Sequence, residues 1–116
     1  QHGAALEEAR AGAAAARDVE FTARLREHNA RWRDWLTAEL HSNAMRVVPS
    51  QANFIMVLFP DADFAARAFE TLRERGLIVR EIGPSYGISN GLRISIGPEQ
   101  AMIGVAGILK ALVRIS

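Results

Sequence analysis

Two arginines, Arg80 and Arg93, are the residues of this 116-residue chain whose type and setting most suggest chemistry. Both lie in the stretch Gly76 to Gly97, GLIVREIGPSYGISNGLRISIG, where two apolar runs each carry one arginine and are joined by a turn-rich segment. A guanidinium stays charged and presents a planar fork of donors, so two of them beside one loop point to an anion site. The other reactive side chains are dispersed. His2, His28 and His41 are scattered, with His28 and His41 on different helix faces, so no metal site is expected. The carboxylates sit at helix starts or on polar helix faces, where capping and solvation account for them. Lys110 is the single lysine and falls on the polar side of the last helix. A Schiff-base lysine must be placed against a cofactor and made nucleophilic by its surroundings, and nothing around Lys110 does so. There is no GxSxG elbow, no P-loop and no GxGxxG after a strand. No catalytic residue and no cofactor-binding residue is expected within the chain itself.

The elements that must position the two arginines can be read from spacing. Leu92, Ile94 and Ile96 alternate with Arg93 and Ser95, so a strand here turns its apolar residues one way and presents Arg93 the other way. Arg80 ends the run Ile78-Val79-Arg80. The segment Gly83 to Gly91, with Pro84, Tyr86 and Asn90-Gly91, predicts a mobile connection and not a tight two-residue hairpin. Met45 to Val48 is a short apolar run stopped by Pro49, and Ala52 to Phe59 has the length and continuity of a strand covered on both faces. Asn53 is the odd member of that run, a buried amide expected to tie down a neighbouring loop.

The remaining segments predict helices. Gly3 to Arg17 is rich in alanine but poor in large apolar side chains besides Leu6, which suggests either close packing on something else or a frayed terminal helix. Asp18 offers an N-cap and a fresh start to a second, long helix on which Phe21, Leu25, His28, Trp32, Trp35, Leu36 and Leu40 recur every three or four residues. That helix is expected to end near His41-Ser42-Asn43, with the tryptophans as core anchors against the sheet. Arg24, Arg26, Arg31 and Arg33 interleave with its aromatics, yet Asp18, Glu20, Glu27, Asp34 and Glu39 neutralise the patch, so nucleic acid is not an expected partner. Pro60-Asp61-Ala62-Asp63 opens a helix with Phe64, Ala65, Ala68, Phe69 and Leu72 on one face, and Gly76 stops it. Gly97-Pro98-Glu99 opens the last helix, lined by Met102, Val105, Ala106, Leu109 and Val113. Its Gly104 and Gly107 suggest close packing.

The order predicts an α/β (α+β) sandwich: a small sheet, mixed or largely antiparallel, with helices packed on one side and preceded by a long linker helix. The domain division expected is 1–17 as an Ala-rich remnant of a preceding region and 18–116 as the folded domain. Composition agrees with an ordinary globular protein: 49% apolar, 23% charged, net charge +1 and no cysteine. There is no apolar run long enough to span a membrane, and the charge exerts no strong pull on nucleic acid or anionic lipid. The first residue is Gln1 and no signal peptide follows, so the chain reads as beginning in the middle of something.

Several strings carry a resemblance. HNARWRDWLTAEL, then VPSQANFIMVLF, a helix, GLIVRE, and GLRISIG before a proline-glutamate helix start together resemble the carboxy-terminal small domain of the histidinol-phosphate aminotransferases. These belong to the aminotransferase class I and II superfamily of pyridoxal-phosphate fold type I. The resemblance runs from Asp18 to the end, and PSQANF and LRISIG are its strongest strings. It implies a parent chain that is a pyridoxal-phosphate-dependent transaminase of histidine biosynthesis, cytoplasmic, moving an amino group between histidinol phosphate and 2-oxoglutarate. It also implies substrate-binding roles: Arg93 for the phosphate or carboxylate of the substrate, and Arg80 as a second hold on the phosphate. Asn53 matches a position taken as structural. The cofactor, pyridoxal phosphate, would be bound mainly outside this chain, in a large domain of the same protein, and the parent would be a homodimer. The Schiff-base lysine, the aspartate facing the pyridine nitrogen and the cofactor's phosphate-binding residues are missing here, so the chain alone is expected to be inactive. Alternatives are another aminotransferase or a threonine-phosphate decarboxylase of the same superfamily, or a free-standing α/β module that binds a small anion.

Overall fold

The computed structural model describes residues 2–48, 50, 52–82 and 86–115, and side chains from residue 12 onward. The expected strand stop at Pro49, the Gln51 link and Pro84 of the expected mobile connection lie outside the described residues. The order is α1 (His2–His41), β1 (Arg46–Val48), β2 (Phe54–Leu58), α2 (Ala62–Glu74), β3 (Val79–Glu81), β4 (Gly91–Ser95) and α3 (Glu99–Arg114). The four strands form one sheet in the order β1-β2-β4-β3, and every neighbouring pair is antiparallel. The sheet is therefore antiparallel throughout, the second of the two arrangements expected.

Alternation decides which way the sheet faces. Val47, Ile55, Val57, Leu92 and Ile94 are buried and join Leu36 and Leu40 of α1, Phe64, Ala65, Ala68 and Leu72 of α2, and Met102, Val105, Ala106 and Leu109 of α3 in one core. All three helices thus cover one face of the sheet. Each fully buried Leu, Ile or Val contributes roughly 1.5–3 kcal/mol relative to exposure. Trp32 and Trp35 stack edge to face at 5.1 Å and pack, half-buried, at the margin of that core.

The elements end where local chemistry ends them. Asp61 caps α2, its side chain accepting from the Phe64 N–H at 2.7 Å. Gly76, at φ +75°, closes α2: its N–H donates to the Arg73 carbonyl and the Leu77 N–H to the Leu72 carbonyl. The end of α1 uses the same pair of bonds, Ala44 N–H to His41 and Met45 N–H to Leu40, but with an alanine in the left-handed position at φ 62°. A Cβ there costs roughly 1–2 kcal/mol.

Four expectations are corrected. The helix does not restart at Asp18: α1 runs unbroken from His2 to His41. No proline interrupts this stretch, and Gly12 alone is too weak a breaker to stop a helix flanked by alanines. The strand β2 is covered on one face only, since Phe54, Met56 and Leu58 alternate, half-exposed, with buried neighbours. Asn53 is exposed and lies in a bend before β2, so it is no buried amide; it is its backbone carbonyl that accepts from Ile96 N–H at 2.7 Å. Finally, Gly107 is exposed with nothing within 4 Å of a would-be Cβ, and Gly104 would meet only Leu77 at ordinary contact distance, 3.8 Å. Neither glycine of α3 serves close packing.

Candidate functional site: an arginine pair on the open sheet face

The face of the sheet turned away from the helices carries the two arginines. In β4 the residues flanking Arg93, Leu92 and Ile94, are buried, so Arg93 must point out of the opposite face, and it is exposed. In β3, Arg80 is exposed as well. The antiparallel register sets Arg80 directly opposite Arg93, and places Met56 of β2 on the other side of Arg93. Val48 pairs with Met56, so one row across the open face reads Val48, Met56, Arg93, Arg80. The next row holds Phe54 and Ser95.

Like charges set directly opposite across strands repel and ordinarily disfavour the pairing. Among the described residues neither Arg80 nor Arg93 has a salt-bridge partner. The Arg93 guanidinium instead lies over the ring of Phe54, 3.9 Å from its centroid. The pair is an uncompensated double positive charge on a half-apolar surface, the electrostatic arrangement that an oxyanion would relieve. Both arginines are exposed on that face. A depression elsewhere, between the start of α2 and the segment before β4, is lined by Ala62, Ala65, Glu81, Ile88 and Leu92 and bears no cation.

The supports of this row come from the helical layer and the strand ends. His28 of α1 donates from Nε2 to the Gly97 carbonyl at 3.0 Å, just past β4, and Arg33 donates to the Ala52 carbonyl at 3.3 Å, just before β2. At the other end of the same strands, Asn90 Nδ2 donates to the Phe59 carbonyl at 2.8 Å while Phe59 N–H donates to the Asn90 carbonyl at 2.7 Å. Beside this clamp a Cβ added at Gly91 would fall 2.6 Å from Ile82 Cδ1 and 2.9 Å from Leu58 Cδ2, so the ends of those two side chains would have to shift to admit it. Of these contributors, Phe54 and the clamping uses of Asn90 and His28 were not singled out by sequence. The parity that puts Phe54 on the face of Met56 was visible, but its nearness to Arg93 depends on a register that only pairing reveals.

A pyridoxal cofactor is held through a lysine amine. Lys110, the single lysine, is half-buried on α3 and ion-paired with Glu39 of α1, in the helical layer on the far side of the sheet from the arginines. Among the described residues no three His, Asp or Glu side chains converge as a metal-ligand set, and no helix is long and apolar enough to cross a membrane.

With the fold and the arginine pair in view, comparison with known proteins is decisive at the level of family. The model of the family "Aminotransferase class I and II" matches residues 6–107. This chain belongs to the aminotransferase class I and II family. It is 46% identical over 104 residues to the histidinol-phosphate aminotransferase of Sphingopyxis alaskensis, covering 87% of this chain and 28% of that protein. With the enzyme of the same name from Zymomonas mobilis it shares 41% identity over 108 residues, 90% of this chain and 29% of that protein. The crystal structure of histidinol-phosphate aminotransferase from Sinorhizobium meliloti, in complex with pyridoxal-5'-phosphate, superposes with a TM-score of 0.73 at 22% identity, over 84% of this chain and 27% of that one. That likeness establishes the fold, a small domain of the aminotransferase type. The chain spans under a third of the length of the curated relatives it matches.

Proposed function

We propose that the chain is the carboxy-terminal, substrate-anchoring domain of a pyridoxal-phosphate-dependent aminotransferase, most specifically one that moves an amino group between histidinol phosphate and 2-oxoglutarate in histidine biosynthesis. In this reading residues 18–116 are the domain proper, and 1–17 belong to the region before it. The observation that carries the proposal is the cross-strand pair Arg80 and Arg93, exposed and with no carboxylate partner among the described residues, on a chain of this family.

Arg93 and Arg80 hold the anion of the substrate. A phosphate monoester offers enough acceptor oxygens for both guanidiniums, and a carboxylate can occupy the fork of one. Gripping that end fixes where the amine of the substrate lies, a proximity contribution made before any bond changes. The same two side chains serve both half-reactions, since each substrate carries an anion next to its reacting carbon, a phosphate ester on the neighbouring carbon of histidinol phosphate and a carboxylate in 2-oxoglutarate. Pyridoxal phosphate supplies the amino-transfer chemistry and is held by a larger domain of the same protein, for the present residues have no lysine free to receive it. The open sheet face is then one wall of a site whose other walls lie on that domain, in a homodimeric, cytoplasmic enzyme. The 116-residue chain by itself is inactive.

Kinetics of the complete enzyme test this. Arg93→Ala removes charge-assisted hydrogen bonds worth roughly 1.5–3 kcal/mol each, so kcat/KM for both substrates is expected to fall about 10- to 100-fold or more. Unchanged KM and kcat for both would refute the assignment.

A further inference from the structure

Phe54 stands out on the open face because its ring touches Arg93. It starts β2, pairs in register with Ser95, and so sits diagonally from Arg93 on the same face, within reach of a long side chain. The Arg93 guanidinium carbon lies 3.9 Å from the ring centroid, a face-on contact. We infer that Phe54 is a positioning residue: its ring holds the Arg93 guanidinium in the orientation that receives the substrate's anion. The inference rests on the substrate-anchoring reading above and adds to it the group that pre-organises the anchor.

The physical reason lies in what a ring consumes and what a carboxylate would consume. A guanidinium is most often fixed by an ion pair, which takes its N–H donors and cancels its charge. An aromatic face attracts the cation through the ring's quadrupole and contacts only the plane of the guanidinium. All five donors, which point outward in that plane, stay available, and the charge stays whole. Arg80 adds a second reason. Its charge, directly opposite in β3, pushes the Arg93 head away, and Phe54 on the β2 side accepts it. Repulsion from one side and attraction from the other leave the two guanidiniums parted with their donors free, the arrangement in which one oxyanion can be reached by both. Met56, opposite Arg93 in β2, lacks a π face and cannot do this. Phe54 is itself fixed at the start of its strand, since the neighbouring Asn53 carbonyl accepts from Ile96 and the Ala52 carbonyl from Arg33.

The test compares Phe54→Leu, which keeps apolar bulk without a ring, and Phe54→Tyr, which keeps the ring, with Arg93→Ala, all in the complete enzyme. The expected result is a rise in KM for histidinol phosphate of roughly 3- to 30-fold in Phe54→Leu, with a smaller change in kcat, and recovery to near the native value in Phe54→Tyr. Native KM in Phe54→Leu, alongside an impaired Arg93→Ala, would overturn the positioning role and leave the anchoring reading standing. Native behaviour in Arg93→Ala would overturn the anchoring reading itself. A readout independent of turnover is the proton spectrum of the 116-residue chain. The Arg93 δ-methylene protons should resonate upfield under the Phe54 ring current and return to ordinary positions in Phe54→Leu, with the backbone spectrum otherwise preserved. Arg93 protons at ordinary positions in the native chain would overturn the contact.

Discussion

Replacing Arg80 by glutamine should make this domain more stable and less able to hold an anion, and the size of the gain follows from the register. Arg80 and Arg93 face each other across β3 and β4, both exposed, with no carboxylate among the described residues paired to either. Heads carried by directly opposed strand positions lie on the order of 7 Å apart, where two like charges in water repel by about 0.6 kcal/mol. For a domain of this size that corresponds to a rise of about 2–4 °C in the midpoint of thermal unfolding. Salt sharpens the test, because the Debye length falls from ~30 Å at 0.01 M to ~3 Å at 1 M, and screening removes the repulsion that the substitution removes. The assay is thermal unfolding of the native chain and of Arg80→Gln at about 10 mM and about 1 M sodium chloride, two conditions that bracket those screening lengths. The substitution is expected to stabilise at low salt and to be neutral at high salt. Inorganic phosphate at low ionic strength should raise the native midpoint more than that of the variant, since a ligand of the folded state stabilises it by mass action. An Arg80→Gln chain no more stable than the native one at low salt, or equally stabilised at both salt concentrations, would refute the claim that the pair is electrostatically uncompensated.

Two further substitutions test the local physics of the scaffold, and one tests its core. Ala44→Gly relieves the left-handed alanine at the end of α1 and should stabilise by about 1 kcal/mol in urea unfolding, whereas a loss of stability would contradict the cap assignment. Gly107→Ala places a methyl group in open space on α3 and should add roughly 0.5–1 kcal/mol through helix propensity. A cost there would show that the position packs on something. Ile94→Ala hollows the fully buried centre of β4 and should cost about 2–5 kcal/mol, measured by the urea midpoint at unchanged slope.

The parts of this molecule that were legible in its sequence are those governed by local periodicity. Arg93 between Leu92 and Ile94 had to be presented, and it is, because the side-chain period of a strand admits no other outcome once its neighbours are buried. Asp61, Gly76 and the apolar face of α2 were readable for the same reason. What was not legible depended on partners distant in sequence. An aspartate followed by an acid looks like a helix start, but Asp18 lies in a stretch whose neighbours on both sides favour helix, so continuing the existing one avoids a second nucleation. The run Ala52 to Phe59 looked doubly buried because Phe54, Met56 and Leu58 are apolar, yet these three are only half-buried among the described residues. An apolar face bearing two unpaired arginines fits a surface completed by another part of a larger protein. The pairing of Arg80 with Arg93, and of Phe54 with the latter, lay hidden in a register set by how the segment between β3 and β4 closes.

The most direct test of the central claim is a crystal structure of the complete enzyme with histidinol phosphate bound. Its phosphate oxygens are predicted to lie at charge-assisted hydrogen-bond distance, about 2.7–2.9 Å, from the Arg93 guanidinium, with Arg80 contributing from the neighbouring strand. A phosphate held wholly by other groups, with both arginines turned to solvent, would contradict the account.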